Sequence, residues 1–283
     1  MRPAQPTAPN HHPDHHHANP HRQDPRQPNP AARPGPPAVR PPAARPPARG
    51  WPEGTLLAEL RRDGSPAALA AEQDILRLGT RRVHGHDETL ILDQDHGRFV
   101  LLLLDGFAKA TVEDTAGTPV LLDVRAYGDI VGEAAALDDR PRSATVSAAG
   151  PVTVRRISQP DWLHWLGTHP VAGIALSRCL VNRSRTATRR LVGLASEQVV
   201  NRLAHDLADL ARRYGSAGPR GITIRPRLTQ VELGALIGAG ERRVHHALHE
   251  LADRGLLRLG RRSTVVLSLP GLLAVAAEGE PGR

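Results

Sequence analysis

An arginine flanked by small hydroxyl residues, one short loop after a glycine-glutamate turn, suits a cyclic phosphodiester. The residues are Gly132-Glu133-Ala-Ala-Ala-Leu-Asp-Asp-Arg-Pro-Arg142-Ser143-Ala-Thr145. A guanidinium offers a planar fork of donors to the two free phosphate oxygens. Ser143 adds a hydroxyl and backbone amides, and a carboxylate accepts from a ribose hydroxyl. In isolation the same loop also reads as a polar surface hairpin carrying an ordinary ion pair. The surrounding elements decide between the two.

Short apolar or alternating runs at Thr89–Leu92, Arg98–Leu104, Phe107–Val112, Pro119–Arg125 and Val146–Ile157 are punctuated by Gly97, Gly106, Gly117, Gly128 and Gly150. Turn signals at roughly ten-residue spacing predict an antiparallel sandwich or roll. The dipeptide Asp105-Gly106 predicts a tight hairpin between Leu104 and Phe107. Ahead of the strands, Leu56, Leu57 and Leu60 share one face, and Ala67–Ala71 with Ile75 extend a broken helix from Trp51 to about Leu78. After Asp161–Leu166 the character becomes helical. Pro170 suits an early helical position, a long helix runs from Val171 to about Ala195, and a second starts near Ser196, with Glu197 in its first turn, and reaches Tyr214. Ile174, Val181, Thr188, Leu191 and Ala195 fall near heptad spacing, which predicts a dimer helix with a polar, imperfect seam.

Residues 228–269 have the pattern of a winged helix-turn-helix. Thr229-Gln-Val-Glu232 is a capping box, Leu233, Leu236 and Ile237 form a packing face, and Gly238-Ala-Gly240 is a tight turn. In the helix that follows, Glu241–Arg254, Val244, Leu248 and Leu251 must point inward, leaving Arg242, Arg243, His245, His246 and His249 outward. Leu256–Leu259 and Thr264–Leu269, joined by Gly260-Arg261-Arg262-Ser263, form a basic hairpin. The basic helix face has a bland reading as solvated surface, but its place after the turn and the second basic element point to DNA. The hairpin arginines suit phosphates, which position a protein without reading sequence.

Length fits about two domains. Residues 1–50 hold more than half of the 26 prolines and six of the 15 histidines, with few large apolar residues. They cannot bury enough surface to offset their ordering entropy. Their seven arginines against Asp14 and Asp24 carry about five units of the formal +8 charge, so the high pI is partly a property of this tail. The cluster His11-His12-Pro13-Asp14-His15-His16-His17 offers imidazoles to a soft divalent metal, but a proline-rich strand gives the rings no second layer of partners; the reading is a low-complexity tail, and no metal site is expected. With one cysteine, Cys179, an intramolecular disulfide and any four-cysteine cluster within one chain are excluded; its apolar helical surroundings predict a buried small hydrophobe. There is no run of about 18 apolar residues and no apolar signal core, so a cytoplasmic protein without a membrane partner is expected. No phosphate-loop motif, nucleophile-elbow serine or histidine pair at helical metal-binding spacing is read from the chain, so no catalysis is expected.

Taken in order, the roll with its Gly132-Glu133 to Arg142-Ser143 loop, the long helix and the winged helix-turn-helix resemble the cyclic-AMP receptor (Crp/Fnr) family of bacterial transcription regulators over about residues 52–270. Gly128-Asp129-Ile-Val-Gly132-Glu133 with Pro141-Arg142-Ser143-Ala144-Thr145 is similar to that family's phosphate-binding cassette. The resemblance implies that Arg142 and Ser143 hold the cyclic phosphate, Glu133 the ribose 2′-hydroxyl, and Arg183 braces the glutamate and phosphate. Ala187 and Thr188 fall where cyclic-AMP-responsive members carry two adenine-facing hydroxyls, and only Thr188 keeps one. Ala134 replaces the family's usual leucine. Where the best-known receptor reads DNA with an arginine, a glutamate and a second arginine, this chain has Glu241, Arg242 and His246, so its operator is expected to differ.

The fold class is therefore read as α+β. A cyclic-nucleotide-binding-like antiparallel β-roll spans 51–167, a dimerisation helix 168–196 and a winged helix-turn-helix DNA-binding domain 197–275. A disordered tail (1–50) and a flexible tail (276–283) flank them. The resemblance implies a homodimeric regulator with ligand residues Gly132, Glu133, Arg142, Ser143, Arg183 and Thr188, and DNA-facing residues Thr229, Glu241, Arg242, Arg243, His246, Arg261 and Arg262. It implies no required cofactor, a cyclic nucleotide as effector, and duplex DNA, a second copy of the chain and RNA polymerase as partners. The ligand would set the separation of the two recognition helices, which must match major grooves about 34 Å apart. Two alternatives remain: a regulator of the same fold that needs no ligand or senses another molecule, haem included because His84, His86 and His96 lie in the roll; and a nucleotide-controlled regulatory subunit of an enzyme.

Overall fold

The computed structural model describes residues 50–260 and 263–278. The expectations for residues 1–49 with their histidine cluster, for Arg261 and Arg262, and for residues 279–283 lie outside the described residues.

The chain opens with two short helices, α1 (Leu56–Asp63) and α2 (Pro66–Ile75). The Thr55 hydroxyl caps the first and Ser65 the second, and Gly64, in the left-handed region, ends α1, so the expected broken helix is two capped ones. Strands β1 (Thr80–His84), β2 (Thr89–Ile91), β3 (Phe99–Asp105), β4 (Phe107–Glu113), β5 (Pro119–Ala126) and β6 (Ile130–Val131) follow. Helix α3 (Glu133–Asp138) and strands β7 (Thr145–Ala148) and β8 (Val152–Ser158) complete the roll. They form two antiparallel sheets, β1-β8-β3-β6 and β2-β7-β4-β5, whose facing sides bury Ile91, Leu101, Leu103, Ala108, Val146 and Val154.

Three expectations about the roll are corrected. Asp105-Gly106 makes no hairpin: β3 and β4 belong to different sheets, and the dipeptide is the corner between them. Gly106 has φ +84°, and a Cβ there would lie 2.4 Å from the Pro151 carbonyl oxygen. The run Val146–Ile157 is two strands in two sheets, separated around Gly150-Pro151. The loop between Glu133 and Arg142 contains the helix α3. Strands β1 and β6 were not anticipated; β1 is an exposed, arginine-bearing edge and β6 has two residues, so neither carries an alternating apolar signal.

Helix α4 (Gln159–Thr168) starts at the Ser158 cap and buries the stacked pair Trp162 and Trp165. Helix α5 (Pro170–Ser196) buries Ala172, Ala175, Leu176 and Cys179 against the roll and α1, and leaves Ile174, Val181, Thr188, Leu191 and Ala195 exposed. Helix α6 (Val199–Tyr214) begins later than expected, because Glu197 is the C-cap of α5, its amide donating to the Gly193 carbonyl.

The C-terminal part adds β9 (Gly215–Gly218), β10 (Gly221–Ile224), α7 (Gln230–Ile237), α8 (Glu241–Asp253), β11 (Leu257–Gly260), β12 (Ser263–Val266) and α9 (Leu269–Ala277). The expected hairpin β11-β12 is the edge of a four-stranded sheet, β11-β12-β10-β9. Glycine-rich β9 and the short β10 were not anticipated. Leu269, expected to end a strand, instead starts α9, which Ser268 caps; that helix passes the boundary expected at 275. The roll and the helix-turn-helix share one core, in which Phe107, Leu121, Val124 and Tyr127 pack with residues of α6, α7 and α8. The Tyr214 hydroxyl donates to the Val124 carbonyl at 3.1 Å across this boundary.

Gly106→Ala should lower the free energy of unfolding by about 1–3 kcal/mol, through the left-handed backbone and the clash at Pro151. Urea unfolding measures this, and an unchanged midpoint would contradict the corner geometry.

Candidate functional site

Residues Gly132 to Ala135, at the β6-α3 junction, form one wall of a cleft of about 460 Å³ including its mouth. Arg142, Ser143 and Ala144 form another, and Ile91, Ala110, Arg125, Val131 and Val146 complete it. Gly132 is required at its position: φ is +80°, and a Cβ would lie 2.5 Å from Arg142 Nη1. The Arg142 side chain is buried over the Phe99 ring. Its Nη1 donates to the Gly132 carbonyl at 2.8 Å, and its Nη2 donates to the carbonyls of Gly97 and Phe99. Its Nε is buried without a partner. Burial lowers its pKa, although Asp95 and Glu133 oppose that shift. Ser143 is exposed, and no described residue accepts from its amide or that of Ala144.

Glu133 is tied to α5. Arg183 donates to its Oε1 from Nη1, and through Nη2 to Asp129 Oδ1 at 2.8 Å and to the Ile130 carbonyl at 3.1 Å. Burial disfavours the guanidinium's charge, but Asp129 and Glu133 outweigh it and raise its pKa. Thus Gly132, Glu133, Arg142 and Ser143 are brought together at the cleft, while Arg183 holds Glu133 from outside it. Thr188 is on the exposed side of α5, away from the cleft lining of its own chain. The sequence reading missed Arg125, and it quoted Asp129 within the cassette without giving it a role. Arg125 lines the cleft, pairs with Asp123 and lies 3.8 Å from Asp129. The signal was the charged i, i+2 pair Asp123 and Arg125, which a strand places on one face.

In the helix-turn-helix, the Thr229 hydroxyl accepts from the Glu232 amide and Glu232 Oε2 accepts from the Thr229 amide, completing the capping box. Thr229 is therefore engaged in the cap. Helix α8 buries Val244, Ala247, Leu248 and Leu251 and exposes Glu241, Arg242, Arg243, His245, His246 and His249. Among the described residues no carboxylate pairs with Arg242 or Arg243. His245 and His249, four apart with ring centroids 4.4 Å from each other, do have the helical spacing that the sequence reading denied. No described group of three His, Cys, Asp or Glu could hold a metal, and His84 and His86 sit instead beside Glu88 and Asp87.

Two family models match the chain, the cyclic nucleotide-binding domain over residues 81–169 and the Crp-like helix-turn-helix domain over 201–275. The chain belongs to the Crp/Fnr family of transcription regulators. It is 27% identical over 182 residues to the CRP-like cAMP-activated global transcriptional regulator of Mycobacterium tuberculosis, covering 64% of this chain and 80% of that one. It is 28% identical over 201 residues to the cyclic AMP receptor protein of Thermus thermophilus, covering 70% and 90%. The fold is also that of the c-di-GMP responsive global regulator CLP of Xanthomonas campestris, with TM-score 0.59, 20% identity and coverage of 71% and 99%. Like these relatives, this Crp/Fnr member is a DNA-binding transcription regulator and not an enzyme. No helix among its described residues is long and apolar enough to cross a membrane.

On α6 of this regulator, facing the end of α5, His205 is a buried histidine with a lowered pKa. His205 Nδ1 is buried without a hydrogen bond, and burial, with Arg189 beside it, lowers its pKa from 6.5. The folded chain therefore resists a proton that the unfolded chain accepts, so stability should fall as pH drops below about 6.5. Burial raises the pKa of neighbouring Asp206 from 3.8, which acts in the opposite direction, so the comparison must be with His205→Gln. Unfolding curves from pH 8 to pH 5 should show the loss in the parent and a flatter profile in the variant; equal profiles would contradict the assignment.

Proposed function

We propose that the chain is a cytoplasmic homodimer that recruits or excludes RNA polymerase at operators it binds under control of a cyclic nucleotide held in the roll cleft. The observation that carries this reading is the cleft itself. A buried guanidinium with a free Nε, an exposed serine with open amides, and a carboxylate anchored to α5 border a space within the usual range of small-ligand sites. In this reading Arg142 and Ser143 take the phosphate, Glu133 takes the ribose, and Arg183 transmits the position of Glu133 to α5. Thr188 serves the base only where the helix faces it, and its place beside the exposed seam of Ile174, Val181 and Leu191 makes a second α5 the partner of that face. The roll, dimer helix and winged domain divide at about 167 and 196. Across α8, Glu241, Arg242, Arg243 and His246 read DNA, while Thr229, Arg261 and Arg262 belong to backbone contacts.

A second reading is that the effector is not cyclic AMP. It is favoured by Ala187, which removes one hydroxyl from the α5 face, and by a fold relative described as c-di-GMP responsive. Calorimetry of the full chain with cyclic AMP, cyclic GMP and a cyclic dinucleotide separates the two.

Arg142→Lys keeps the charge but loses the fork. It should weaken binding of the effector so identified by about ten-fold, on the scale of a charged hydrogen bond. Circular dichroism must first show the variant folded, because Arg142 also joins three backbone carbonyls. Undiminished affinity in a folded variant contradicts the assignment.

Arg242→Ala should cost about 1–3 kcal/mol on an operator selected from random duplexes and much less on random DNA. Equal weakening of both across a salt series would mean that α8 does not read bases.

A further inference from the structure

Lys109 is the only lysine among the 37 Lys and Arg residues of the chain, and it is buried at the boundary between the roll and the helix-turn-helix. It lies on β4. Strand alternation sends Ala108 and Ala110 into the roll and Lys109 out of it, toward α7. Ala110 lines the effector cleft, and the ladder between β4 and β5 shifts register between Ala110 and Thr111. The Lys109 ammonium donates to Oε1 of Glu232. Glu232 is also the N3 residue of α7, and its Oε2 accepts from the Thr229 amide at 2.7 Å. One carboxylate thus holds the first turn of α7 with one oxygen and the roll with the other. Among the described residues this is the only ion pair between the strands of the roll and α7 or α8. The rest of that boundary is mostly apolar packing, with the Tyr214 hydroxyl donating to the Val124 carbonyl and Arg225 lying over the Phe107 and Tyr127 rings and donating to the Tyr127 hydroxyl. The residue type fits the acceptor: a single free oxygen suits a point-charge ammonium, whereas a guanidinium fork gains its advantage from two.

We propose that Lys109 is a positioning residue that couples the effector cleft to the DNA-reading helix, by clamping the capping carboxylate of α7 to the strand that forms the cleft wall. The assignment rests on the effector reading above. A ligand that moves Ala110 moves Lys109 on the same strand, and Lys109 moves the N-terminus of α7, onto which α8 is packed.

The test uses the full chain with Lys109→Met, Glu232→Gln and the double variant. Glutamine preserves the capping box, so Glu232→Gln removes the charge and not the cap. Operator affinity is measured without nucleotide and at saturation, and the ratio is the coupling factor. Each single variant should bring that factor about five-fold or more closer to one, and the double should go no further. If nucleotide still binds and the coupling factor is unchanged in both single variants, the pair is structural only and the proposal fails. If the parent binds no nucleotide, the effector reading fails separately. The clamp is then judged by hydrogen exchange: faster exchange of the α7 and α8 amides in Lys109→Met, with roll amides unchanged, supports it, and identical exchange overturns it.

Discussion

Arg183 is a guanidinium largely withdrawn from water, and its charge persists there only because two carboxylates, those of Asp129 and Glu133, meet it. A buried charge of this kind is expensive to leave unpaired; removing one partner of such a group typically costs about 3–5 kcal/mol. That penalty makes the network directional. Asp129 holds the arginine at the β5-β6 turn, Glu133 holds it at the start of α3, and α5 cannot slide along the roll without breaking one of the two. The cleft, the long helix and, through Arg190 and Asp206, the hinge to α6 are therefore all referred to one geometry.

The apolar core shared by the roll and the helix-turn-helix fixes the second half of the molecule differently. Packing of Phe107, Val124 and Tyr127 on α6 and α7 is non-directional and stabilises contact without specifying register. Register comes from polar bonds across that surface, the Tyr214 hydroxyl on the Val124 carbonyl and Lys109 on Glu232, with Arg190 of α5 on the Leu122 carbonyl at 2.8 Å beside them. A boundary held by broad apolar contact and a small number of polar pins is suited to switching, because two arrangements can bury similar area while differing in which pins are made.

The sequence made the large elements legible wherever one periodicity ran without interruption. The long helix α5, the capping box at Thr229 and Glu232, and the inward Val244, Leu248 and Leu251 all stand in the structure as their spacing predicts. It failed where tertiary pairing decided the outcome. Asp105-Gly106 has the composition of a hairpin turn, but the strands on either side take partners in different sheets. Strand β9, Gly-Ser-Ala-Gly, is made of residues with low strand preference and pairs only with β10, and β10 offers just three strand-forming residues, Ile222-Thr223-Ile224, and pairs in turn with β12. In the cleft, the cassette loop was readable because its chemistry is local. Arg125 and Asp129 were not, because their importance lies in ion pairs with Asp123 and Arg183 that only the fold brings together.

Arg142 shows why residue type alone underdetermines a site. The sequence offers it as a phosphate ligand; the structure engages it with the carbonyls of Gly97, Phe99 and Gly132, leaving Nε as its unsatisfied donor. Those three carbonyls belong to the loop before β3, to β3 itself and to the β6-α3 junction, so the guanidinium closes the floor of the cleft it borders. An anion arriving at Nε would compete for a side chain already bonded to the fold, and any rotation of the guanidinium toward it would release at least one carbonyl. On these terms ligand affinity is the difference between two sets of charge-assisted bonds, and one of the three carbonyls in that exchange, Gly132, stands next to the carboxylate that Arg183 ties to α5.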